Sequence, residues 1–162
     1  MPELNQHFYH VAPIQLEKGS IILPGNYGRI VTHTGYQHNQ YGREMLLEYI
    51  RFKHYSDKPS RLHSCFVCDN LDDIKFFMQH HCSTGIIYEV SFLDDQAKQH
   101  IGCFNCLPPL PARFNKNAEN VAHDYWKGEF IACEKAPKCK EIVSESAIKI
   151  INVVDLHDLH VQ

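Results

Sequence analysis

The apolar residues of this chain arrive in short runs separated by polar punctuation, and that distribution constrains the fold more than any single motif. Segments 7–12, 20–23, 64–68, 85–92, 129–133, 139–144 and 147–154 read as strands. In 85–92 the residues Ile86, Tyr88, Val90 and Phe92 alternate at the strand period, and 20–23 stops at Pro24-Gly25. Helical spacing appears in 42–53, where Leu46, Leu47 and Ile50 share a face flanked by Met45, Tyr49 and Phe52. A second helix runs to His81 after a cap at Asp69 or Asn70. Its first turn holds Asp72 and Asp73, and Leu71, Ile74, Phe77 and Met78 form its apolar stripe. A short helix over 117–127 closes at Gly128. Segment 25–41, rich in Gly, Asn, His and Tyr, reads as a loop, as does the stretch around Pro59. Segment 93–116, with Pro108, Pro109 and Pro111, reads as irregular. Strict strand–helix alternation is absent, so the order predicts one α+β domain over 1–162 with substantially antiparallel sheets.

No run approaches the roughly 18 apolar residues of a membrane span. The opening MPELNQHFYH lacks a basic start followed by an apolar stretch, so a cytoplasmic chain is expected, or one exported without a cleaved signal peptide. The net charge of −3 and the lack of a dense Lys/Arg run disfavour extended nucleic acid as a partner. Seven cysteines, an odd number, predict free thiols rather than a disulfide framework. Cys103-x-x-Cys106 has the spacing of half a zinc site, but Cys133-x5-Cys139 does not complete it, and a metal-free protein is expected.

Three short motifs bear on chemistry. His10 stands on the first strand, where a histidine is either an edge residue or points into a cleft. In Ser60–Cys68 the side chains of Ser64, Phe66 and Cys68 share one strand face, opposite Cys65 and Val67. Phe66 packs in a core or stacks on a ligand ring, and Arg61 makes a surface ion pair or a two-pronged phosphate contact. Glu141 opens a late apolar strand, and the polar run Ser144-Glu145-Ser146 reads as the turn after it. There is no glycine-rich phosphate loop and no nucleophile elbow.

Taken in order, His10, Phe66 and Glu141 resemble the three-part pattern of the ADP-ribosyltransferase superfamily. The opening Phe8-Tyr9-His10-Val11-Ala12-Pro13, with Leu16, Gly19 and Leu23-Pro24-Gly25, resembles the start of the rifamycin ADP-ribosyltransferases. Phe66–Asp72 is similar to their middle strand and following helix. Glu141-Ile142-Val143 with Ile148-Lys149-Ile150 is similar to the catalytic strand of mono-ADP-ribosyltransferase toxins. The whole chain also resembles a bacterial domain family with Pro24–Arg29, Lys58–Arg61 and the Tyr125-Trp126 pair.

The resemblance implies a split β-sandwich of two small antiparallel-rich sheets and NAD as co-substrate. The nicotinamide–ribose bond is cleaved and ADP-ribose passes to an acceptor, with a protein or small molecule favoured over nucleic acid. It implies Glu141, with Glu145 as its rival, as the carboxylate facing a ribose that develops oxocarbenium character. One such preorganised contact is worth about 3–4 kcal/mol. It also implies His10 on the adenosine ribose, Val11 where the nicotinamide amide meets the backbone, and Phe66 stacked on nicotinamide beside Ser64. Such a ring pair adds about 0.5–1.5 kcal/mol. Arg29 or Arg61 would hold the pyrophosphate, and Tyr27 and Trp126 are candidate ring contacts or, alternatively, structural residues. Cys139 stands where arginine-modifying members carry Glu or Gln, so arginine is not implied as the acceptor. An NAD glycohydrolase, or an inactive nucleotide- or partner-binding module of the same fold, are the alternatives.

Overall fold

The structure is a computed structural model and describes residues 6–128 and 138–156. The described chain is α+β, with four helices and two antiparallel sheets. Strand β1 is Phe8–Ala12 and β2 is Ile21–Ile22; helices α1, Asn26–Thr34, and α2, Tyr41–His54, follow. Then come β3, Cys65–Val67; α3, Leu71–His81; β4, Ile86–Phe92; β5, Gln99–Cys103; α4, Lys116–Lys127; β6, Lys140–Ser144; and β7, Ile148–Val153. One sheet has the order β1-β4-β7-β2 and the other β3-β6-β5. The chain therefore crosses between the sheets repeatedly, and neither forms alone from a contiguous segment.

Strand periodicity explains how the sheets meet. Phe8 and Ala12 share a face of β1, and Tyr88 and Val90 share the matching face of β4. Across from them Cys65, Val67 and Ile142 project from β3 and β6, and with Ile148 and Ile150 these residues form a buried apolar cluster. The sheets are stitched at one edge, where Tyr9 and Cys68 exchange backbone hydrogen bonds of 2.8 and 2.9 Å.

The helices close the remaining faces. Leu46, Leu47 and Ile50 of α2 pack on Ala118, Ala122, Tyr125 and Trp126 of α4, as the helical spacing predicts. Helix α3 starts where the Asn70 side chain accepts the Asp73 N–H at 2.8 Å, and it buries Ile74 and Phe77 against Val11 and Ile87. Helix α4 ends at Gly128, which has φ 74°.

Two segments differ from the sequence-based expectation. The loop expected over 25–41 contains α1. Its helical register rests on tertiary contact, because Gly28 lies against the turn at Arg61–His63 and a Cβ there would fall 1.9 Å from the Leu62 carbonyl oxygen. Only Gly28 and Val31 of this helix are buried, too few to make an apolar stripe legible. The irregular segment expected over 93–116 contains β5. This strand is polar in sequence and is fixed by pairing with β6, from Gln99 opposite Ser144 to Cys103 opposite Lys140. The strand expected over 129–133 lies outside the described residues.

Candidate functional site

A cavity of about 660 Å³ opens beside the stitched edge of the two sheets. That volume is ordinary for a small-molecule site, which spans about 300–1,000 Å³. One wall is apolar, from Ile14, Leu16, Ile21, Ile22 and Leu23; the other is aromatic and basic, with His10, Tyr27, Phe66, His81, Arg43 and Arg61. The apolar wall is hung on Tyr88, whose hydroxyl accepts the Leu16 N–H at 2.7 Å and donates to the Ile14 carbonyl at 2.9 Å.

His10 projects from the face of β1 that carries Phe8 and Ala12, so it looks toward the second sheet. Its Nδ1–H donates to the Phe66 carbonyl at 2.8 Å. That bond sets the tautomer and leaves Nε2 as an acceptor. Burial pushes the His10 pKa down, opposed by this backbone bond, and the ring is held in its neutral form. Tyr27 meets Phe66 edge to face, with ring centroids 5.3 Å apart. Burial first and the neighbouring Glu44 second push the Tyr27 phenol up. His81 stands at the rim and is lowered by desolvation.

Behind this wall lies a buried charge network. Arg61 sits in the turn capped by Ser60, whose Oγ accepts the Leu62 N–H and donates to Glu48 at 2.9 Å. The Arg61 Nε and Nη2 donate to Glu44 at 2.9 and 3.2 Å, and Nη1 donates to Glu141 and, at 2.6 Å, to the Tyr125 hydroxyl. Tyr125 in turn donates to Glu141 at 2.7 Å. Gly102 permits this approach, since a Cβ there would fall 2.4 Å from the Tyr125 ring. Burial works against the Arg61 charge, but Glu141 and Glu44 outweigh it and hold the guanidinium pKa well above its usual value. The guanidinium also lies over the Phe66 ring, 4.9 Å from its centroid.

The residues singled out by sequence divide into two groups. His10, Val11, Tyr27, Arg61, Ser64 and Phe66 come together at the cavity. The Ser64 hydroxyl is already engaged, donating to the Ser60 carbonyl at 2.6 Å. Glu141 is 1% exposed and lies one side chain behind the cavity wall, closed off by Arg61 and Tyr125. Its Oε2 is buried with no hydrogen-bond partner among the described residues. Arg29 is exposed and does not line the cavity; it donates to Asn26, which does, at 2.9 Å. Trp126 is fully buried between α2 and α4, where its indole N–H donates to the Leu47 carbonyl at 2.9 Å, so it is a core residue and not a ring contact at the site. Glu145 follows β6 in the expected turn, its N–H donating to the Lys98 carbonyl at 3.1 Å. Arg43 and Glu44 belong to the site without having been singled out. Adjacent opposite charges on a helix read as a solvated face, and nothing local says that both turn inward.

Among the described residues no group of three or more His, Cys, Asp or Glu side chains is placed to hold a metal ion. Cys133 lies outside them. Cys65, Cys68, Cys82 and Cys139 are free thiols, and burial pushes Cys65 up to about 11. Cys106 is disulfide-bonded, which corrects the expectation of a fully reduced chain. An odd count requires one unpaired cysteine but does not forbid a pair.

Residues 3–156 match the model of a family described as a protein of unknown function, DUF2441, and the chain belongs to that family. No curated protein matches the chain.

Proposed function

We propose that this protein is an NAD-dependent mono-ADP-ribosyltransferase whose cofactor site is the cavity at the edge of the two sheets. The observation that carries the reading is the joining of His10 to Phe66. Two motif residues 56 positions apart are bonded at 2.8 Å and face one cavity. The volume suits a ligand of dinucleotide size, and the neutral His10 offers Nε2 as an acceptor for a ribose hydroxyl. Phe66 and Tyr27 present aromatic surface to a nicotinamide ring. Glu141 supplies the negative charge that opposes the oxocarbenium ribose. Its Oε1 is held by Arg61 and Tyr125, and its unpartnered Oε2 is the oxygen available to a ribose hydroxyl. Seating of the ligand must then turn Arg61 aside. The acceptor is a protein side chain or a small molecule, and water in its place would make the protein an NAD glycohydrolase.

Incubation with NAD and chromatographic measurement of released nicotinamide tests this. Release by the native protein is expected, with Glu141→Gln slowing it about a hundredfold or more and Glu145→Gln leaving it within a few-fold. The reverse order of the two variants would remove Glu141 from its role. The sealing of Glu141 by Arg61 favours a second reading, an inactive nucleotide-binding module. NAD binding without nicotinamide release would establish that instead.

A further inference from the structure

We infer that Arg43 is the residue of the cavity that receives a phosphate group. The inference rests on the NAD reading for the identity of the ligand, though not for its charge. Arg43 lies in the first turn of α2, is 8% exposed and lines the cavity. Its Nε is shut off from solvent with no hydrogen-bond partner, and its guanidinium has no ion pair among the described residues. The surplus carboxylate charge of the Glu44–Arg61–Glu141 cluster balances the cation through space, but no group within the described protein hydrogen-bonds its buried Nε. An anion entering the cavity would supply those bonds.

Before any ligand is seated, the neighbouring groups are not free to do the same work. All three nitrogens of Arg61 are engaged by Glu44, Glu141 and Tyr125. The single proton of the Tyr27 hydroxyl is shared between Gln40 and, at 3.0 Å, Glu44. His10 is held neutral. Among the described residues Arg43 is thus the arginine lining the cavity that is not already hydrogen-bonded, and the positive end of α2 lies beside it with the same sign. A guanidinium presents a planar fork that fits two phosphate oxygens at once. Arg43 therefore takes the role that sequence reading gave to Arg29 or Arg61.

Calorimetric titration of the full chain with ADP-ribose, inorganic pyrophosphate and adenosine tests the assignment, with melting curves to confirm folding. Arg43→Met should weaken ADP-ribose binding by about tenfold to a hundredfold, the usual worth of hydrogen bonds to a charged group. Adenosine, which has no phosphate, should bind both proteins alike. Arg43→Lys keeps the charge, loses the fork and should weaken ADP-ribose several-fold; it decides the matter if the Met variant does not fold. Native affinity in either folded variant would overturn the assignment, as would failure of the native protein to bind both ADP-ribose and pyrophosphate. The two proposals fail separately. Arg43-dependent ADP-ribose binding without nicotinamide release from NAD removes the transferase and keeps the phosphate site. Nicotinamide release with an unchanged KM for NAD in Arg43→Met does the opposite.

Discussion

The two faces of the β3-β6-β5 sheet are built on opposite principles. One carries Cys65, Val67 and Ile142 into an apolar cluster shared with the other sheet. The opposite face carries Phe66, His100, Glu141 and Val143, and it meets Arg61 and α4 through charge and hydrogen bonds. Both faces are buried, so burial alone does not separate them. What separates them is tolerance: the apolar face depends on volume, whereas the charged face depends on every partner being present.

The largest expected effect lies on the charged face. Arg61→Met leaves Glu44 and Glu141 buried, close together and without their cation. Breaking a buried pair in this way costs about 3–5 kcal/mol, and here two carboxylates lose one partner. Urea unfolding at neutral pH measures it, and a loss under about 1 kcal/mol would mean that the network is solvated and the contrast false.

Acid probes the same face more gently. His100 donates from Nε2 to the Tyr125 carbonyl at 2.9 Å, and burial pulls its pKa down to about 4 from 6.5. The unfolded chain therefore takes up a proton at higher pH than the folded one. The contribution is fully present above pH 6.5 and is lost as pH falls toward 4, by about 3 kcal/mol in all. His10 and His81 shift in the same direction. Denaturant midpoints from pH 7.5 down to pH 4 should fall in the native protein, and the fall should shrink in His100→Gln. Equal slopes would show that His100 charges freely.

The smallest effect belongs to the apolar face. Ile142→Val removes one methylene from the cluster and should cost about 0.5–1.5 kcal/mol by the same unfolding measurement, with no change in acid sensitivity. A cost matching that of Arg61→Met would erase the difference between the faces.

Most of the elements were legible because their signals are local. The Asn70 cap, the Leu46–Leu47–Ile50 stripe and the Ile86–Phe92 alternation each state their own structure within a few residues. Helix α1 and strand β5 were not, since one depends on Gly28 meeting Leu62 and the other on pairing with β6. The candidate site divides in the same way. His10 and Phe66 stood out through their motifs, and the structure joins them. Arg43 and Glu44 look like an ordinary exposed pair until α2 is placed against the turn that begins at Arg61, 17 positions after Glu44. Trp126, a candidate ring contact or a structural residue by sequence, is the latter, and a lone tryptophan gives no local sign of which cluster it fills.

The backbone bridge between Tyr9 and Cys68 is the point at which the two sheets are hydrogen-bonded to each other, and it sits where a pivot between them would. Displacement about a pivot grows with distance from it. If the two sheets swing against each other, His10 and Phe66, each within two positions of the bridge, keep their spacing. Ile14 and Leu23, farther out on the opposite wall, sweep the widest arc. Motion of that kind would alter how wide the cavity gapes while its deepest contacts stay in register, much as a pair of tongs opens at the tips and hardly at the rivet.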